Sequence, residues 1–117
     1  MPTDQAVTVA RATEALSLRV EAGGEHLEAA ITGAQVCDLL SHVMAQGKHG
    51  HLWITIQTHP NIIAVAALAG LSGIVIASGF EPEDDTVMRA EDEGIPLLMS
   101  PQTAYELAGK LYELGVR

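Results

Sequence analysis

The sequence predicts a three-layer α/β domain with a central, mostly parallel sheet flanked by helices, and three observations predict it. From Leu52 onward, strand-like and helix-like apolar patterns alternate three times. The segment Gly73–Ala77, with its Ile-Val-Ile, is apolar throughout, as strands covered on both faces are. The connections between these strands are of helix length, which right-handed parallel crossovers require. Strands are expected near residues 18–21, 27–32, 52–57, 73–77 and 95–99, and residues 1–117 are expected to form one domain.

Taken in order, residues 4–15 carry a weak helical pattern, with Val7, Ala10 and Ala15 apolar at near-helical spacing. Ser17 to Glu21 alternates Leu18 and Val20 with polar neighbours, the mark of a half-buried strand. Gly23-Gly24 turns the chain, and Leu27–Thr32 is expected to return beside it as a hairpin or strand pair. Over Val36–Ala45 a helix is predicted that gathers Val36, Leu39, Leu40, Val43 and Met44 on one apolar face and ends at Gly47. Leu52–Gln57 is the next strand. Pro60–Ala69 follows as a helix, Pro60 costing nothing in its first turn because no N–H is needed there. The strand Gly73–Ala77 leads to a helix from Pro82 or Glu83 to Glu93, closed by Gly94. Ile95–Met99 is the last strand, and Pro101–Leu114 a helix ending at Gly115, with Glu106 and Lys110 placed to pair at i,i+4. One helix breaks the amphipathic rule: Ile62 to Ala69 holds no polar side chain. Its outer face is expected to be covered by a partner subunit or by the N-terminal helix.

The chemistry of the whole chain narrows its partners. Six Lys or Arg stand against fifteen Asp or Glu, a net charge of −9, which argues against nucleic acid and anionic membrane. Seven of the acids fall between Glu81 and Glu93, read as a solvated helix face or as a docking surface for a basic partner. Only four aromatics are present, so Leu, Ile, Val, Ala and Met must build the core. A single cysteine, Cys37, allows no internal disulfide. With no leader and no apolar run of membrane-spanning length, a cytoplasmic location is expected.

The candidate site is the polar cluster Gln57, Thr58, His59 and Asn61, where an apolar strand stops and a helix begins. In open α/β sheets, ligands sit at the carboxyl ends of strands, where helix N–H groups and the positive end of the dipole favour anions. The duller alternative is that Thr58 or His59 caps the helix while the others solvate a loop. Parallel topology would add Ser78 and Gly79 with Phe80 after the second strand, and Met99 with Ser100 after the third, all along one edge. His49-Gly-His51 invites a metal reading. However, His51 and His59 flank a strand and would lie about 20 Å apart, so no metal or cofactor is expected. Asp38 and His42 fit an i,i+4 contact on a helix, more plausibly a surface pair than a general base. Cys37 reads as a small half-buried side chain. No phosphate loop exists: Ala104 stands where the first glycine before Gly109-Lys110 should be, and no other catalytic signature occurs.

From Leu18 to Gly115 the chain resembles the DRTGG-domain family, which is related to the N-terminal domain of HPr kinase. The pieces that carry the resemblance are Gly33 to Met44, Gly50 to Asn61 (with Leu-Trp-Ile-Thr-Ile-Gln-Thr-His-Pro-Asn), and Gly94 to Leu98. It implies a three-layer α/β regulatory or sensory domain that self-associates. The serine kinase label given to stand-alone members belongs to a catalytic domain whose phosphate loop is missing here. Where the family name expects Asp-Arg ahead of the glycine, this chain has Glu28-Ala29 before Ile31-Thr32-Gly33. The expected function is therefore a non-catalytic regulatory domain. It would bind a small anionic or nucleotide-like ligand through Gln57, Thr58, His59, Asn61, Ser78, Gly79 and Ser100, as a homodimer. The alternatives are a structural adaptor docking on a partner protein, and a small hydrolase or transferase using His59 or Asp38 with His42.

Overall fold

Strands that are apolar at every position must be covered on both faces, and this fold lays helices above and below one sheet. The computed structural model describes residues 6–117. In chain order its elements are β1 (Val7–Thr8), α1 (Val9–Leu16), β2 (Arg19–Ala22), β3 (Ala30–Ile31), β4 (Gly33–Val36) and α2 (Leu40–Gln46). Then come β5 (His51–Thr55), α3 (Asn61–Ala69), β6 (Gly73–Ile76), α4 (Asp84–Glu93), β7 (Leu97–Met99) and α5 (Ala104–Leu114). The main sheet has the order β2-β7-β6-β5-β4. Strands β4 to β7 are parallel and β2 is an antiparallel edge. The expected three-layer α/β architecture with a mostly parallel sheet is the one observed.

The pleat sorts each strand between two cores. Leu52 and Ile54 of β5, Val75 of β6 and Leu98 of β7 join Val9, Ala12 and Leu16 of α1 and Leu107 and Leu111 of α5. Trp53, Ile74, Ile76 and Leu97 point the other way, to Val43 of α2, Ile62, Ile63, Val65 and Ala66 of α3, and Ala90 of α4. Helices α1 and α5 thus cover one face, and α2, α3 and α4 the other. Trp53 is fully buried and satisfies its one polar atom by donating from Nε1 to the Cys37 carbonyl at 2.7 Å.

Several expectations are corrected. Residues 18–21 and 27–32 do not form a hairpin. β2 pairs with β7, 75 or more positions later, and only Ala30–Ile31 of the second segment is strand, paired with Val7–Thr8. The reason lies at Gly23, whose φ of 72° and lack of a Cβ let β2 end hard against the Ile95 carbonyl. The returning segment is meanwhile held to α1, Val9 N–H donating to Ala29 O and Ala10 N–H to Leu27 O.

The helix expected over 4–15 begins at Val9, with Thr8 as N-cap accepting from the Arg11 N–H, and runs to Leu16; positions 4 and 5 lie outside the described residues. The helix expected from Val36 starts only at Leu40, because Gly33–Val36 is a fourth parallel strand. Its supposed buried face is largely open, Val36, Leu39 and Met44 being exposed while Val43 is buried. Helix α1 cannot cover α3, since it packs with α5 on the opposite face. α2 and α4 flank α3, and Ala64, Ala67 and Leu68 stay exposed. Glu106 does not pair with Lys110; it closes a capping box with Thr103, and the Lys110 ammonium donates to Gln102 instead.

Candidate functional site

The helices leaving β4, β5 and β6 pass to one face, whereas α5, leaving β7, passes to the other. Neighbouring parallel strands whose connections part in this way leave a crevice at their carboxyl ends, the usual ligand position in open α/β sheets. A cavity of about 290 Å³ lies there. It is lined by Gly79 and Glu81 after β6, Met99 to Pro101 at the end of β7, Ser17 at the end of α1 and Arg19 at the start of β2. The antiparallel β2 brings its first residue to the rim where the parallel strands end.

Arg19 supplies the one positive charge on this cavity. Its Nε donates to Glu21 Oε2 at 2.5 Å, and its second terminal nitrogen lies 3.3 Å from Met99 Sδ and 3.6 Å from Glu81 Oε1. The hydrogen bond and charge of Glu21, with a smaller contribution from Glu81, raise its pKa and keep it protonated. Ser78 and Gly79 both have positive φ, 63° and 78°, in a tight turn closed by Phe80 N–H to Ala77 O. Ser78 is a non-glycine residue held in the left-handed region, the kind of outlier that collects at functional sites.

The expected site residues share the carboxyl rim, but the structure separates them into two groups. Ser78, Gly79 and Ser100 come together at β6 and β7: Gly79 N–H donates to Ser100 O at 2.9 Å, and Ser78 N–H to Gln102 O at 2.8 Å. Ser100 is buried, its hydroxyl accepting from the backbone N–H of Gln102. Gln57, Thr58, His59 and Asn61 lie at the exit of β5, outside the cavity, and are tied into the fold. Gln57 Nε2 donates to the Asp38 carbonyl; Thr58 O accepts from Glu83 N–H and the Thr86 hydroxyl. His59 Nδ1 accepts the Asn61 N–H at 3.1 Å, while the Ile62 and Ile63 N–H groups bond to His59 O and Pro60 O. The start of α3 therefore does not offer the free N–H groups that made the corner attractive as an anion site.

Arg19 and Glu81 were missed by sequence reasoning. Their only signals were a basic residue on an alternating strand and an acid directly after a Ser-Gly turn, and neither is informative until β2 is known to pair with β7. Among the other candidates, Asp38 sits in a loop and not on a helix. Its carboxylate accepts from the Thr55 hydroxyl at 2.8 Å and the Ile56 N–H at 2.9 Å, so no Asp38–His42 pair exists. That capture also ends β5 at Thr55, two residues sooner than expected. Cys37 is half-buried, its Sγ accepting from Leu39 N–H. His51 opens β5, where its Nδ1 meets Gln35 Nε2 at 3.1 Å and the Lys48 N–H at 3.3 Å, and burial, followed by the charge of Lys48, lowers its pKa. The described residues contain no cluster of three or more metal-binding side chains, and no helix among them is long and apolar enough to cross a membrane.

Comparison with known proteins places these features in a family. The family model described as DRTGG domain matches residues 8–114. A solved structure of the CBS and DRTGG domains of the regulatory region of Clostridium perfringens pyrophosphatase, complexed with its activator diadenosine tetraphosphate, matches with a TM-score of 0.76 and 14% identity. The match covers 95% of this chain and 48% of that one, so the chain spans about half the length of that structure. No curated protein matches the sequence significantly.

Proposed function

The chain belongs to the DRTGG domain family, and from that membership we propose that it is a non-catalytic regulatory domain that binds a nucleotide-like ligand at the carboxyl rim of its sheet. Residues 1–117 act in this reading as one unit. The observation that carries it is the crevice between β6 and β7, where an arginine, a strained Ser-Gly turn and a 290 Å³ cavity meet at the point where the connecting helices diverge. The similar structure lends support, because it is the regulatory region of an enzyme held with a nucleotide activator. The ligand-facing residues are Gly79 and Ser100, joined by Arg19 and Glu81, with Ser78 in the turn beside them. Gln57, Thr58, His59 and Asn61 lie outside the cavity on the same rim, where Thr58 links the β6–α4 loop to the exit of β5. A ligand that favours one arrangement of that loop would shift the domain between two states by its difference in affinity. The test is calorimetric titration with diadenosine tetraphosphate, ATP and GTP. Binding that is lost in Arg19→Ala, with the circular dichroism spectrum unchanged, supports the reading. No heat from any of the three overturns it.

A second reading, self-association or docking on a partner protein, is favoured by the β4 edge. Cys37 N–H donates inward to Ile54 O, so alternation turns the N–H and C=O groups of Ala34 and Val36 outward. This strand, Gly-Ala-Gln-Val, carries none of the charges or prolines that usually guard an edge. Val36 within it is 52% exposed, and Leu39 and Met44, which follow in the chain, are 63 and 49% exposed. A second copy adding its own β4 antiparallel would satisfy these groups and extend the sheet across a two-fold axis.

A further inference from the structure

The cavity between β6, β7 and β2 has a charge balance that decides which part of a nucleotide it accepts, an inference that rests on the reading just proposed. Arg19 is the one cation facing it, against the carboxylates of Glu81 on the wall and Glu21 behind. A phosphate entering here would meet more negative than positive charge. Nor does the backbone offer an anion cradle. The N–H groups of Ser78, Gly79, Phe80 and Gln102 are all bonded, to Gln102 O, Ser100 O, Ala77 O and Ser100 Oγ respectively. The nearby start of α4 carries Asp84 and Asp85, which already complement its dipole.

What remains is a donor beside an acceptor, Arg19 and Glu81, 3.6 Å apart and sharing the cavity with Met99 and Pro101. The polar edge of a purine presents the matching pair. Guanine has the O6 acceptor next to its N1–H and N2–H donors, and adenine has N7 next to N6–H. We propose that the cavity receives the purine base of a nucleotide, Arg19 donating to the ring or carbonyl acceptor and Glu81 accepting from the adjacent N–H, with the phosphates left outside in solvent. In the free protein the two side chains satisfy each other. Both are largely exposed, at 62 and 73%, so parting them costs little. The volume, at the small end of ligand pockets, suits a base and not a whole dinucleotide.

The sign of the effect at Glu81 tests this. Guanosine, adenosine, their 5′-monophosphates and inorganic phosphate are titrated into the wild-type chain and into Glu81→Ala and Arg19→Ala. The expected result is that a free purine nucleoside binds comparably to its monophosphate, that inorganic phosphate does not compete, and that Glu81→Ala weakens nucleoside binding about tenfold or more. Tighter binding in Glu81→Ala, or binding confined to phosphorylated ligands, overturns the base assignment while leaving a nucleotide-binding function standing. If no nucleoside or nucleotide binds the wild-type chain, that function falls as well.

Discussion

Asp38 shows how one side chain can organise a rim without touching a ligand. Its carboxylate holds the Thr55 hydroxyl and the Ile56 N–H, and its carbonyl receives Gln57. Asp38→Ala strands a hydroxyl on a 1% exposed threonine together with a backbone donor, and is expected to cost about 1–3 kcal/mol in urea unfolding. This role was not legible in the sequence, because apolar periodicity over Val36–Ala45 placed Asp38 on a helix. Only the pairing of β4 with β5 puts it beside Thr55. The same pairing explains His51, whose ring lies against Gly33 and Gln35. Burial and Lys48 lower its pKa, so the fold prefers the neutral ring. An unfolded chain protonates first, near the ordinary histidine value of about 6.5. Stability from this residue is therefore full above that pH and falls as the pH drops from it towards the lower folded value. Between about pH 7.5 and about pH 5.5, the wild-type urea midpoint should fall further than that of His51→Gln. Equal falls would show that His51 plays no part.

At the scale of elements, boundaries with a local chemical cause were readable and those set by tertiary pairing were not. Gly70, Gly94 and Gly115 end α3, α4 and α5 in the left-handed conformation, as glycine after a helix suggests. Pro101 suggests a start for α5 three residues early, whereas the capping-box spacing of Thr103 and Glu106 marks the true one. Thr103→Ala removes that box and should destabilise the chain by about 1 kcal/mol, measured by thermal or urea unfolding. Strand β4 escaped notice for a different reason. A four-residue edge strand with only Gly33 buried has no apolar alternation to display. The apolar character of α3 was plain, but what covers it was not, since α2 and α4 flank it only after the crossovers are drawn.

For the whole molecule, the parallel block was legible from the repeated strand and helix rhythm. The partner of β2 was not, because no local pattern records a contact with β7 so far along the chain. The site inherited this gap: the β6 and β7 exits were anticipated, whereas Arg19 arrives only with β2. If the β4 edge joins two copies, Val36→Lys should convert a dimer to a monomer in light scattering at micromolar concentration, with unfolding unchanged because Val36 is half-exposed. A wild-type chain that is already monomeric would exclude this interface. The clasp of β2 on β7, reinforced by Gln102 Nε2 donating to the Leu16 carbonyl, also has a consequence during synthesis. Ribosomes deliver β2 some 75 residues before its receiving strand. The growing chain must therefore carry an unclosed sheet margin, with the α5 side of its core still wet, until β7 and α5 have followed.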